Sequence, residues 1–324
     1  MKASPAGLLL IAALFNSIAA ADTTSHDEEV GLLRQMASAA RQSNYSGTFV
    51  YKHGDQIETA KIWHLTDSSG VYERLETLDG PPLEIVRKNE EVICYRPYTK
   101  VAKVENWRAT HRFPAVVSEQ LAAIVSNYAV RKGNIERVAG LDCQVTVLKP
   151  RDRLRYGRVF CSDLKSGLPL RAKTLNERGE TIEMFAFTQV DIGSAIGHEQ
   201  VDARYDARAP GWKLERSALA IGGDQKPRWM VVGQPAGFRK VLETMRTIQG
   251  RQAAQLVFSD GLAAVSVFIE PGIAGARAAQ ELAHKGPINA FTRTQPGYVI
   301  TALGEAPAET VMLFGNSVTL RIKR

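Results

Sequence analysis

The side chains able to do chemistry are few and scattered. Six histidines (His26, His53, His64, His111, His198 and His284) form no His-x-x-x-His pair, and none has a carboxylate at ligand spacing. A metal needs several N, O or S ligands converging on one point, so the sequence implies no metal site. No Gly-x-Ser-x-Gly elbow and no phosphate-cradling glycine loop occurs. His64 beside Trp63 reads as a packed or edge-of-sheet residue, and Asp260-Gly261 as a turn rather than a nucleophile. With no convergent acid, base and nucleophile, the expectation is a binding protein without cofactor, not an enzyme. A β-rich secreted enzyme would need a pocket with strongly shifted carboxylates.

The three cysteines, Cys94, Cys143 and Cys161, match neither zinc spacing nor a C-x-x-C redox motif. Cys143 and Cys161 lie symmetrically about Asp152, the expected tip of a hairpin. They form a candidate disulfide across two antiparallel strands, which leaves Cys94 over and buried. Such a bond needs an oxidising compartment. The N-terminus supplies the route: Lys2, an apolar run Ala6–Ile18 too short to span a bilayer, then Ala19-Ala20-Ala21 as a cleavage site. Residues 1–21 are therefore expected to be a signal peptide, and the periplasm the destination in a Gram-negative cell. The net charge of +7 favours acidic partners or an anionic lipid surface, unless the scattered charge serves only solubility. Export argues against nucleic acid.

The elements that must position these residues follow from periodicity. Val30, Leu33, Met36 and Ala40 recur at helical spacing across Asp27–Arg41, with acidic residues in the first turn. From Ser46 to Gln189 the chain reads as a meander of strands, with Gly, Asn and Asp turns at about ten-residue spacing, the pattern of an antiparallel barrel or sandwich. Arg96–Pro114 shows no clear alternation and reads as an irregular loop; Ser118 could cap a helix from Glu119 to about Ser126. Residues 192–211, rich in Gly and mixed charge, read as a linker. A smaller domain over 212–324 follows, with a strand at Arg228–Val232, a two-residue type I′ turn at Asp260-Gly261, and a closing helix Pro307–Gly315.

Two candidate surfaces emerge. Phe49 and Tyr51 share one strand face, Ile62 and His64 another, Phe185 and Phe187 a third. These six line an apolar cavity between sheet and helix, or else form ordinary core. In the second domain Leu262–Ile269 reads as a central strand ended by Glu270-Pro271-Gly272. Phe268 and Glu270, with the neighbouring basic residues Arg239, Arg246 and Arg251, make a candidate partner surface, unless these charges are merely solvated.

Several short segments resemble the RseB/MucB family. They are Ser46-Gly47-Thr48-Phe49-Val50-Tyr51, Ile62-Trp63-His64, Glu73-Arg74-Leu75, Arg137-Val138-Ala139-Gly140, Arg155-Tyr156-Gly157 and Ser166-Gly167-Leu168-Pro169-Leu170 in the first domain. In the second they are Pro235-Ala236-Gly237-Phe238, Ser259-Asp260-Gly261-Leu262 and Ser266-Val267-Phe268-Ile269-Glu270-Pro271. The resemblance implies a mainly β fold with helices (α+β). Residues 22–191 would form a half-open antiparallel barrel similar to LolA and LolB, and the smaller α+β domain would supply much of the partner contact. It further implies a periplasmic negative regulator of an envelope-stress sigma factor (sigma-E or AlgU). Such a protein binds the periplasmic part of a single-span anti-sigma factor (RseA or MucA), shields it from the site-1 protease, and senses lipid, lipopolysaccharide or acylated lipoprotein. Coupling between the domains would run through rotation about the 192–211 linker. A lipid or lipoprotein carrier is the alternative, and self-association stays open.

Overall fold

The computed structural model describes residues 18–106, 121–216, 220–221, 229–248, 250–272 and 279–320. Most of the expected signal peptide lies outside these residues, as do His111, Pro114 and the expected helix cap Ser118.

Helix α1 (Ile18–Gln42) contains the expected amphipathic segment and starts earlier than its periodicity suggests. Strands β1 (Tyr45–His53), β2 (Gln56–Asp67), β3 (Gly70–Thr77), β4 (Glu84–Lys88), β5 (Glu91–Arg96) and β6 (Val101–Asn106) form a run of antiparallel neighbours. Helix α2 (Leu121–Asn127) leads into β7 (Tyr128–Val138), β8 (Leu141–Pro150), β9 (Gly157–Asp163), β10 (Pro169–Leu175) and β11 (Thr181–Ile192). Strand β11 returns to pair with β1, so the two runs fuse into one sheet with β1 near its middle. The sheet is mainly antiparallel and is not closed into a barrel.

Strand β6 corrects the expected loop at Arg96–Pro114. Its inward residues are Ala102 and Val104, both buried, and a small alanine contributes little to a hydrophobic pattern. Gly47 explains its place in the first motif: a side chain there would lie 2.8 Å from Cε1 of Phe187, so only glycine lets the Phe187 ring cross β1.

The expected linker has structure of its own. Residues 192–211 form a strap packed on the outer side of the sheet. It contains the short helix α3 (His198–Val201), whose Val201, with Ile196, is buried against Trp63, Leu65 and Tyr72. Further along, Arg204 N donates to the Glu84 carboxylate at 3.1 and 3.2 Å. Strand β12 (Lys213–Arg216) then pairs in parallel with β6. The first sheet thus keeps the chain as far as Arg216, past Trp212, the earlier of two expected starts of the second domain; the later one, the strand Arg228–Val232, lies beyond it. Main-chain pairing holds this stretch, and its polar sequence gives no sign of it.

The second sheet contains β13 (Ala220–Ile221), β15 (Arg239–Ile248), β16 (Arg251–Ser259), β17 (Ala264–Pro271), β18 (Gln280–Lys285), β19 (Ile288–Gln295) and β20 (Tyr298–Gly304). Strand β14 (Trp229–Val231) pairs separately with β21 (Val318–Leu320). Helix α4 (Ala308–Asn316) starts after Pro307 and buries Val311 and Phe314 against Phe258, Phe291 and Ile300. Strand β18 is exposed throughout, so it carries no periodic signal.

Candidate functional site

Strand register brings the six candidate cavity residues onto one face. Tyr45, Phe49 and Tyr51 stand opposite His64, Ala60 and Glu58 on one side, and Phe49 and Tyr51 stand opposite Phe187 and Phe185 on the other. This inner face is the one that α1 covers through Ala39. The rings fill it. Phe49 lies 4.7 Å from Phe185 between centroids, and Phe187 meets both edge-on. Ile62 packs in the same cluster. Tyr51 sits at its margin and donates to Glu183, and burial followed by the Glu183 charge raises its phenol well above the ordinary range. Open volume lies instead beside α1, in a cleft of about 460 Å³ lined by Arg34, Gln35, Ser38, Gln42 and Ser166.

His64 closes the end of this face. Its ring stacks on Tyr45 at 4.9 Å, its Nδ1 lies 2.8 Å from the Ser43 carbonyl, and its Nε2 lies 3.5 Å from Glu73. Burial lowers its pKa to about 4, so the ring is neutral at ordinary pH, and it ties β2 to the connection between α1 and β1. Glu73 is buried too, and desolvation raises its carboxyl despite Arg87 at 3.3 Å. Cys143 and Cys161 are joined, with Cα atoms 5.3 Å apart, from diagonal positions on β8 and β9. Cys94 is buried.

The five partner-surface residues also share one face, the one turned away from the second domain's core. Arg246 stands opposite Ala253, Arg251 opposite Ile248, Phe268 opposite Gln255 and Glu270 opposite Val299, while Arg239 lies at the far end opposite Ser259. Arg239 and Arg251 are exposed; Arg246, Phe268 and Glu270 are half-buried. Arg246 Nε and Gln255 Oε1 are buried there without a hydrogen-bond partner among the described residues.

A third site was not legible in the sequence. Asp260 is fully buried, and so is Arg155, 105 residues earlier. Arg155 Nη1 donates to Asp260 Oδ2 at 2.8 Å, and Tyr128 donates to the same oxygen at 3.2 Å. Arg155 also donates to both oxygens of Asp152 and to the Ala236 carbonyl. Burial, then the Asp260 charge, raises the Tyr128 phenol well above its ordinary value. Around this pair Thr310 donates to the Leu154 carbonyl at 2.7 Å, Asn289 donates to the Tyr156 hydroxyl at 2.9 Å, and Arg158 reaches Glu305 at 3.6 Å. Gly237 has a left-handed φ of 84°, and a side chain there would collide with Asn127. The type I′ turn expected at Asp260-Gly261 is not formed. Ser259 pairs with Ala264, so the loop holds four residues, and only Gly261 has a positive φ. The available signal was that Arg155-Tyr156-Gly157 and Ser259-Asp260-Gly261-Leu262 both resemble one family, carry opposite charges, and had no separate role.

Among the described residues no group of three or more His, Cys, Asp or Glu could hold a metal, and no helix is long and apolar enough to cross a membrane.

The sequence matches the MucB/RseB N-terminal domain over residues 28–205 and the MucB/RseB C-terminal domain over 223–319. It is 32% identical over 306 residues to the sigma factor AlgU regulatory protein MucB of Pseudomonas aeruginosa, covering 92% of each chain. It is 23% identical over 290 residues to the sigma-E factor regulatory protein RseB of Escherichia coli K12, covering 89% of each. The structure is similar to that of MucB in the P. aeruginosa MucA/MucB complex, with a TM-score of 0.74 and 30% identity, covering 91% of this chain and 100% of that one. A second structure, MucB in complex with MucA(peri), gives a TM-score of 0.72 at 30% identity, covering 90% and 99%. With both domains matched in order and nearly end to end, the chain belongs to the MucB/RseB family.

Proposed function

We propose that this protein is a periplasmic regulatory binding protein rather than an enzyme. It occupies the periplasmic part of a single-span, RseA/MucA-like anti-sigma factor, shields it from the site-1 protease, and so keeps an envelope-stress sigma factor repressed. The observation that supports this most directly is the full-length similarity to MucB in its complexes with MucA. The signal-like run Ala6–Ala21 supports export.

The second domain offers the contact face. Arg239, Arg246 and Arg251 suit an acidic segment, and Phe268 gives an apolar centre between charges. Among the described residues Arg246 Nε and Gln255 Oε1 have no partner, and a buried unmet polar group costs about 1–3 kcal/mol, which a bound peptide would relieve. Lipid enters as the release signal. An acyl chain gains about 0.8 kcal/mol per buried methylene, but the inner face is already filled by Phe49, Phe185 and Phe187. A chain would have to displace α1, and that displacement is what the partner would sense.

The test is binding of a MucA-type periplasmic domain to the chain lacking Met1–Ala21, read by interferometry and by protection from proteolysis. Saturable binding with protection supports the reading, and no binding sinks it. Equal binding by lyso-lipid-loaded and lipid-free protein would remove only the lipid step.

A further inference from the structure

The turn Ser259–Ala263 is held rigid by its own residues. Asp260 Oδ1 accepts from Leu262 N at 2.9 Å and from Ala263 N at 2.8 Å. Ser259 Oγ accepts from Gly261 N at 3.0 Å and donates to the Ala263 carbonyl at 2.9 Å. The turn therefore leaves Asp260 Oδ2 free for other groups, and Arg155 and Tyr128 of the first domain take it. Two residues on, Leu262 packs against the first domain's cluster of Leu33, Ile124, Tyr128, Leu148 and Phe160. Arg158 Nη2 fixes the Leu262 carbonyl at 3.3 Å. A carboxylate and an apolar side chain from one domain thus enter a prepared socket in the other.

We propose that the first domain carries a docking site for an aspartate and a leucine two residues apart, filled in cis by Asp260 and Leu262, and that this docking is a reversible latch between the domains. Its chemistry suits a latch. Burying two charges costs nearly what their attraction returns, so a buried ion pair specifies geometry more than it adds net stability. Closed, every polar atom of the Asp260 carboxylate is met. Opened, both charges regain water, and the apolar patch around Leu33, Ile124 and Phe160 loses its cover. The socket belongs to the scaffold: Tyr128 starts β7, Arg155 closes the loop between β8 and β9, and Arg158 is on β9. The strap and β12 stay attached to the first sheet, so opening separates the second domain from a body that keeps its own shape. This inference does not depend on which partner the protein binds.

The test uses the mature full chain with Cys94→Ala, spin-labelled at Gln189→Cys in the first domain and Thr247→Cys in the second. Pulsed dipolar spectroscopy reads the interdomain distance, and anilinonaphthalene sulfonate fluorescence reads the bared patch. With the socket intact, a narrow single distance and low dye fluorescence are expected. Arg155→Gln and Leu262→Ser should each raise the open fraction at least about tenfold, the change that 1.4 kcal/mol produces, with a longer, broader distance and brighter dye. Arg155→Gln leaves the Ser259–Ala263 turn untouched, so it decides the matter even where Leu262→Ser disturbs that turn. Folded variants by circular dichroism with distances superimposable on the parent's would overturn the latch.

Discussion

Two arginines of the first domain receive chain from beyond its strands, and they do so differently. Arg74 meets the strap. Its guanidinium lies over the Trp63 ring at 4.1 Å, its Nε has no hydrogen-bond partner among the described residues, and Glu84 stands 3.9 Å away. Its Nη1 reaches the Asp202 carbonyl only at 3.4 Å. Arg155 meets the second domain with Asp260, Asp152 and Ala236 all in hydrogen-bonding range, and with the Phe238 ring 5.2 Å away. The first is a soft clamp of an aromatic face and a loose charge, tolerant of small shifts. The second is directional and accepts one geometry. The strap is thus held by area, and the junction by angle.

Removing the junction's charge should give the largest effect. Arg155→Met removes the partner that balances the buried Asp260 carboxylate and should cost about 3–5 kcal/mol of junction closure, read in urea as the second domain separating before the first unfolds, and adding Asp260→Asn should restore much of it. Next, Cys143→Ser with Cys161→Ser frees the hairpin that presents Arg155. A closed loop of about this length is worth about 3 kcal/mol, and amide exchange should rise around Leu154 and Tyr156 while the strap stays protected.

The third prediction concerns pH. His64 and Glu73 lie one residue along from Trp63 and Arg74 on the same paired strands, hence on the opposite face. Because the folded-state pKa of His64 is lowered to about 4, the unfolded chain takes its proton first. Stability should fall as pH drops from about 6.5 to 4, by on the order of 3 kcal/mol. The raised Glu73 carboxyl acts with the opposite sign, so the His64→Phe variant is the control, and it should lose the His64 part of the slope. Smallest should be Arg74→Met, about 1 kcal/mol for the cation–π contact. Should that variant cost as much as Arg155→Met, the contrast between clamp and latch fails.

The meander was legible because its strands alternate and its turns carry residues that accept left-handed backbone. The three candidate pairs were visible as pairs, but only register could show that they share one face and fill it. The junction was hidden for two reasons. Arg155 sits in the run Arg151-Asp152-Arg153-Leu154-Arg155, which looks like a solvated hairpin tip. Asp260-Gly261 has the composition of a turn, and nothing local says that its carboxylate is buried by a residue 105 positions away. Local pattern reports what a residue prefers, whereas burial of a charge is decided by a distant partner.

The parallel pairing of β12 with β6 bears on how copies of the chain behave when crowded. A sheet with unpaired edges templates growth into fibres. Here one edge is covered by the chain's own continuation. The other, β7, has an irregular register between Lys132 and Ile135 and is exposed from Arg131 to Arg137, with three basic residues. Stacking a second copy there would set like charges together across a distorted ladder. A long sheet thereby offers a second copy no flat, uncharged ladder along β7.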